Sequence, residues 1–410
     1  FMDIANLGGH TLLVGTTRVG KTRMMELLIA QAIIRNETVI IIDPKGDHAL
    51  AENAKRICAA MGQPERFVYF HPAHPEKSTP IDPMRNWNRR TELASRVAAL
   101  IPSETGADPF AAFGWKVLND IVNGLVATGV SPNLVHMKRY IEGGADNLLL
   151  NTLRHHFIDT VPEWETRSSS FVKKHRDRIL EAYIDFYKQI AIHEAQSSDL
   201  DGLISTFEHN RDHFQKMVAS LIPILSMLTS EPLAALLSPE FKIGDQEHAT
   251  DMAKIINNNQ VLYLGLDSLA DGTVGSAIGS IMLADLTAVA GDRYNYGIDS
   301  NKPVNLFIDE AAEVINQPTI QLMNKGGGAI FRVTIAAQTF ADFPARLGDE
   351  NKARQVLANI NNQIVLRVID AETQQYIADS MPKIKAQSLS IRYGHGVDAK
   401  IQDEYQSSYQ

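Results

Sequence analysis

The stretch Gly15-Thr16-Thr17-Arg18-Val19-Gly20-Lys21-Thr22 constrains this chain more than any other. It has the form G-x-x-x-x-G-K-T, follows the apolar run Leu12-Leu13-Val14 and opens a helical pattern carried by Met24, Met25, Leu27 and Leu28. A strand, a glycine-bounded loop and a helix in that order make a phosphate-binding P-loop. Gly15 and Gly20 let the backbone curl so that its N–H groups face an anion, at the positive end of the helix. Residues 15–22 are therefore the expected nucleotide cradle. Lys21 supplies a point charge for the β- and γ-phosphates, and Thr22 a hydroxyl for Mg²⁺, which prefers oxygen ligands.

A loop of this kind needs a sheet to carry it. The run Glu37 to Asp43 is β-branched and continuous, as in a parallel strand buried on both faces, and it ends in Asp43-Pro44-Lys45-Gly46-Asp47. Pro44 and Gly46 turn the chain there, while Asp43, Lys45 and Asp47 would stand at the carboxyl edge of the sheet, where open α/β folds bind ligands. A helix from Ala49 to Met61 and a strand from Arg66 to Phe70 complete a second crossover unit.

From Thr91 to about Pro239 the periodicity is helical instead, through Leu93, Val97 and Leu100, then Val117, Leu118, Ile121 and Leu125, and later Met217, Leu221, Leu225 and Leu228. Strands and helices then alternate again: Gln260–Leu266, a helix Val274–Arg293, Pro303–Glu310, a helix Ala312–Met323, Arg332–Ala337, a helix Asn351–Leu357 and Gln363–Val368. Residues 1–90 and 240–410 are thus expected to form one discontinuous nucleotide-binding domain, with residues 91–239 an all-α insertion. The fold class is α/β, a RecA-like P-loop ATPase with a mostly parallel sheet. The polar stretch from Lys383 reads as peripheral or partly disordered.

Leu306-Phe307-Ile308-Asp309-Glu310 is a Walker B pattern, an apolar strand delivering Asp309 to Mg²⁺ and Glu310 to the attacking water. On its own such a strand end is common; paired with a P-loop it is specific. Gln338, ending the next strand, is placed to touch both γ-phosphate and water. The catalytic set is then Lys21, Glu310 and Gln338, with ATP and Mg²⁺ as ligands. Arg332, at the other end of the strand that delivers Gln338, is a candidate finger into a neighbouring subunit or the holder of a surface ion pair; Arg346 and Arg354 are next in line.

A net charge of −9 excludes a surface that is basic all over but not a local basic face. Arg167, Lys173, Lys174, Arg176 and Arg178 surround Phe171 with no acid before Asp177, suiting either a phosphate backbone or a solvated helix face. One cysteine, Cys58, leaves no disulfide framework within the chain. No apolar run reaches about eighteen residues, and Ser276–Gly291, with Asp285 in its middle, reads as an amphipathic helix. His209 and His213 stand at i, i+4 without the zinc-protease glutamate spacing, and His71-Pro72-Ala73-His74 reads as a loop.

The P-loop, Asp43-Pro44-Lys45-Gly46, the helical insertion, Asp309-Glu310, Gln338, and Asn361 to Arg367 with Glu372-Thr373 together resemble the type IV coupling proteins of conjugation, the TraG/TraD group. The resemblance implies an ATPase on the cytoplasmic face of the inner membrane, a homo-oligomer, normally a hexameric ring, that brings relaxase-bound single-stranded DNA to a type IV secretion channel and pumps it. Implied partners are single-stranded DNA, relaxase and relaxosome proteins, the channel, and the membrane through an N-terminal segment absent here. The present chain is then expected to be the soluble portion. Two other readings stay open, a secretion ATPase acting on protein and a nucleotide-controlled docking platform. Many members follow a Lys-Gly pair after Walker B with arginine, whereas Lys325-Gly326 precedes Gly327 and Gly328.

Overall fold

The computed structural model describes residues 8–100, 109–176, 178–209, 214, 218–239, 249–297, 302–381, 385–392 and 402–409. Asp177, His213 and Met217 lie outside them, as do Phe1 to Leu7. Seven strands form one sheet: β1 (His10–Val14), β2 (Thr38–Asp43), β3 (Phe67–Phe70), β4 (Val261–Gly265), β5 (Val304–Ile308), β6 (Phe331–Ala337) and β7 (Ile360–Val365). Their order is β3-β4-β2-β5-β6-β1-β7, and every pair is parallel. Every residue of β1, β2, β4 and β5 is buried, which is why these segments read as continuous apolar runs.

Successive strand residues point to opposite faces, so the sheet makes two cores. Leu13, Val39, Ile41, Tyr263 and Phe307 pack under α1 (Lys21–Ile34) and α2 (His48–Ala60) with Met25, Ile29, Leu50 and Cys58. Leu12, Ile40, Ile42, Leu262, Leu306 and Val333 face the other way and share one core with the helix Gly272–Tyr296, the helix Gln317–Lys325 and the helical block.

That block runs through α3 (Arg90–Ala98), α4 (Pro109–Ala127), α5 (Leu134–Gly143), α6 (Asp146–Thr160), α7 (Trp164–His175) and α8 (Ile179–Phe186), then through helices Ser198–Phe207, Leu221–Leu228 and Leu233–Leu237. It is inserted between β3 and β4, which are neighbours at the edge of the sheet. Its two ends are tied together: Asp82 N–H donates to Thr250 O at 3.0 Å, Thr250 N–H to Pro80 O at 2.9 Å, and Ile81 N–H to Leu236 O at 2.8 Å. Beneath this neck the buried Arg96 of α3 donates to Pro83 O at 2.7 Å and lies 3.0 Å from Asp285 Oδ1 of the long helix.

The helix Gly272–Tyr296 is not amphipathic. Residues 277–286 are buried without interruption, and Asp285, which looked like the mark of a solvated face, is fully buried against Arg96. This helix alone among the described residues is long and apolar enough to cross a membrane, and 67% of its most apolar window packs inside the protein. Two other segments depart from the sequence reading. β7 starts three residues before Gln363, because Ile360 and Asn362 continue the pairing with β1, the register shifting at Asn361, whose side chain accepts from His10 N–H at 3.0 Å. The polar end forms an antiparallel hairpin, β8 (Lys385–Arg392) with β9 (Gln402–Tyr409), separate from the large sheet.

Candidate active site

Strand order decides what meets at the carboxyl edge. β6 lies between β1, which leads into the P-loop, and β5, which ends at Asp309 and Glu310. Gln338, following β6, therefore stands between Lys21 and Glu310.

The P-loop takes its shape from backbone chemistry. Gly20 has φ +99°, a left-handed conformation that glycine adopts without penalty, and Arg18 has φ +60°. A Cβ on Gly15 would come within 2.9 Å of Leu366 Cβ and of Val19 Cγ2, so only glycine lets the loop close on the segment behind it. That segment also accepts from Thr16 N–H through Arg367 O at 2.9 Å. The Lys21 side chain is buried and folds over the loop, donating to Gly15 O at 2.7 Å and Thr16 O at 3.2 Å. These carbonyls hold the ammonium at the mouth of the cradle formed by Gly15, Thr16, Thr17, Arg18, Val19, Gly20 and Thr22.

Across the edge, Glu310 N–H donates to Asp309 Oδ1 at 3.0 Å, and Glu310 itself has φ +41°. Burial pushes the Asp309 carboxyl up to about 6, and the Asp43 and Glu310 carboxylates add to the rise. Burial pushes Glu310 up as well, but hydrogen bonds from Lys45 and Gln338 outweigh it and leave the carboxyl below its ordinary value. Gln338 Nε2 lies 3.2 Å from each Glu310 oxygen, and Lys45 Nζ lies 2.5 Å from Oε1. A buried carboxylate and a P-loop hydroxyl are both hard oxygen donors, and Asp309 with Thr22 fits Mg²⁺ on those grounds.

The turn after β2 divides its three charged residues among three tasks. The Asp43 carboxylate accepts from Lys45 N–H at 3.1 Å, Asp47 N–H at 2.6 Å and the buried Tyr263 hydroxyl at 2.8 Å, so it builds the turn. Asp47 caps α2 by accepting from Ala49 N–H. Of the three, Lys45 alone reaches Glu310. The ring of His71 fits where Gly46 and Gly265 lack side chains: a Cβ on either would stand 2.4 Å from it. Its segment is a loop, as the sequence suggests. Thr373, fully buried, accepts from Phe340 N–H at 3.0 Å and donates to Asp370 at 2.7 Å, which anchors the loop leaving Gln338.

Lys45 and Thr373 are the residues whose roles sequence reasoning missed. The clue to Lys45 was the Asp-Pro-Lys-Gly turn at a sheet edge, but its partner stands 265 positions away.

Arg332 lies at the amino end of β6, opposite Gln338, where its guanidinium is 3.4 Å from Glu37 Oε1. Arg35 Nη2 donates to the same carboxylate at 2.8 Å. Arg346 donates to Ser276 Oγ at 2.6 Å, and Arg354 is exposed beside Glu350. In the helical block the basic face is partly neutralised: Arg167 forms a paired contact with Glu194, and Lys174 lies 3.5 Å from Asp185. Lys173, Arg176 and Arg178 are exposed. His209 packs its ring against Phe113 at 4.9 Å.

Two family models match this chain. The type IV secretion-system coupling protein DNA-binding domain covers residues 3–180, and the TraM recognition site of TraD and TraG covers residues 303–408. A search of curated proteins finds no match. Among solved structures, the unbound monoclinic form of the bacterial conjugative coupling protein TrwBdeltaN70 is similar with a TM-score of 0.63 at 14% identity, over 99% of this chain and 78% of that one. The plasmid coupling protein TrwB in complex with the non-hydrolysable ATP analogue ADPNP gives 0.61 at 15%, over 98% and 80%. VirB4 of Thermoanaerobacter pseudethanolicus gives 0.51 at 12%, over 90% and 80%. At such identities the likeness carries the RecA-like fold with its helical domain and no more. The two family models, one at each end of the chain, describe parts of one kind of protein, and the chain belongs to the type IV coupling proteins.

Proposed function

We propose that this protein hydrolyses ATP and uses the cycle to move relaxase-bound single-stranded DNA toward a type IV secretion channel during conjugation. The observation that carries the reading is the convergence of Lys21, Asp309, Glu310 and Gln338 on one sheet edge from three adjacent strands. Residues 15–22 hold the phosphates through backbone N–H groups, and Lys21 exchanges its loop carbonyls for phosphate oxygens. Thr22 and Asp309 would hold Mg²⁺, which when bound would supply neutralisation of phosphate charge. Glu310 orients a water for in-line attack, and Gln338, bonded to that carboxylate, reports the state of the γ-phosphate along β6.

The ring reading follows from the arginines. Among the described residues none stands at this edge with its guanidinium on the catalytic carboxylates, so the arginine that stabilises the transition state comes from a neighbour in a homo-oligomer, a hexamer by family resemblance. Arg332 is the first candidate, since its end of β6 cannot reach its own nucleotide. The full-length protein would be anchored at the cytoplasmic face of the inner membrane through a segment outside this chain, with 91–239 as the inserted all-α domain and 1–90 plus 240–410 as the motor. Relaxosome proteins would dock on the region matching the TraM recognition site, which favours a docking role beside the motor.

The test is the ATPase rate with and without single-stranded DNA, measured together with oligomeric state. Stimulation by DNA in an assembled form is expected. Stimulation by a protein substrate alone, or partner binding that survives loss of Glu310 with negligible turnover, would replace the motor reading.

A further inference from the structure

The turn Asp43 to Asp47 delivers a cation to the carboxylate that activates water. Lys45 Nζ lies 2.5 Å from Glu310 Oε1, and the lysine side chain is 43% exposed while that of the glutamate is 11% exposed. The backbone beneath Lys45 is held from several sides. The Asp43 carboxylate accepts from Lys45 N–H and Asp47 N–H, Gly46 N–H donates to Asp43 O at 3.2 Å, and Ser268 N–H donates to Pro44 O at 2.8 Å. So the root of the side chain is fixed, while the half-exposed side chain beyond it has room to change partner.

A carboxylate that orients a water for attack stands within one water of the γ-phosphate. An ammonium already bonded to that carboxylate is then a short swing from the γ-phosphate oxygens. ADP ends before that point. A γ-phosphate carries more charge than one carboxylate and offers three acceptor oxygens, so it competes for the ammonium. Resting on the ATPase reading above, we infer that Lys45 is a γ-phosphate-sensing residue. It sits on Glu310 while the site lacks ATP, and it crosses to the γ-phosphate when ATP binds. Lys45 thereby separates ATP from ADP and leaves Glu310 free for water only when substrate is present. Lys21 cannot do this alone, because it reaches the β-phosphate that both nucleotides share.

Equilibrium dissociation constants of the whole chain for ADPNP and for ADP, each with Mg²⁺, test the inference in wild type, Lys45→Met, Glu310→Gln and the double variant. Lys45→Met is expected to weaken ADPNP about tenfold, the loss of one charge-assisted contact, and to leave ADP within about twofold. Glu310→Gln is expected to tighten ADPNP severalfold by releasing Lys45, and the double variant should lose that gain. ADP serves as the control for folding. Equal weakening of both nucleotides would mean a disturbed turn, and unchanged ADPNP affinity would mean a surface ion pair; either overturns the inference. So does a gain from Glu310→Gln that persists without Lys45. Failure of the wild type to bind either nucleotide would instead remove the ATPase reading itself.

Discussion

Lys21→Ala takes away the charge that meets phosphate in the ground state, whereas Glu310→Gln keeps the shape of the edge and removes only the group that acts on water. The first variant should bind ATP at least tenfold more weakly. The second should retain nucleotide and lose turnover by two orders of magnitude or more, read by binding and single-turnover rates side by side. Tight binding with normal turnover in the glutamine variant would remove Glu310 from its assigned role. Asp309 gives a second prediction, with a pH signature. Its folded-state carboxyl titrates near 6 instead of 3.8, so the native protein holds a proton there that the unfolded chain has released. The resulting cost to stability is fully present above about pH 6 and absent below the unfolded value. Asp309→Asn should therefore raise the melting temperature by a few degrees at pH 8, a gain on the order of 1–3 kcal/mol, with the gain fading toward pH 4 while Mg²⁺-dependent turnover is lost. A gain that is equal at both pH values would place the strain elsewhere. At this scale the P-loop was legible because its chemistry is local in the chain, eight consecutive residues with fixed spacing. The tie of Lys45 to Glu310 was not, because no local pattern tells a lysine which of several distant carboxylates the sheet will bring to it.

Elements were legible in proportion to how completely they are buried. β1, β2, β4 and β5 are buried throughout and stood out by their apolar runs; β7, an edge strand with residues alternating between half-buried and exposed, was displaced toward its most apolar end. The long helix misled for the opposite reason, since one aspartate suggested water where the fold supplies a buried arginine. That pair joins the helical block to the long helix behind the sheet, and it makes a third prediction. Arg96→Ala leaves Asp285 buried without its cation and should cost about 3–5 kcal/mol at pH 8. Burial already pushes the Asp285 carboxyl to about 7, against the pull of Arg96. Without Arg96 it can take up a proton as pH falls, so the loss should shrink at pH 5. Denaturant melts at the two pH values measure this, and a loss that grows toward low pH would contradict it. The terminal hairpin was not legible, because Leu389 and Ile391 give β8 only two alternating apolar residues and its partner strand is polar apart from Tyr405 and Tyr409.

For the whole molecule the arginines carry the decisive test. Arg332→Ala should bind ATP normally and assemble, yet hydrolyse on the order of 10³-fold more slowly, and it should regain turnover at its own site when mixed with wild-type neighbours. An assembled Arg332→Ala protein turning over at the wild-type rate would leave Arg332 only its contact with Glu37, and pass the question to Arg346 and Arg354. One further consequence lies in the order of the strands. β1, β2 and β3 are the first to be synthesised, and none of them touches another in the finished sheet: β4 stands between β3 and β2, while β5 and β6 stand between β2 and β1. A ribosome that has released the P-loop and everything up to Phe70 has released three strands with no partner available. The helical block, rich in near-sequence contacts, can form while they wait. The sheet can close only when Val261 and the residues after it emerge and thread their strands between those already made. The motor half of this protein is thus the last part to exist during synthesis, although it is the first to be encoded, and an N-terminal fragment that carries the whole P-loop motif has no sheet to hold it open.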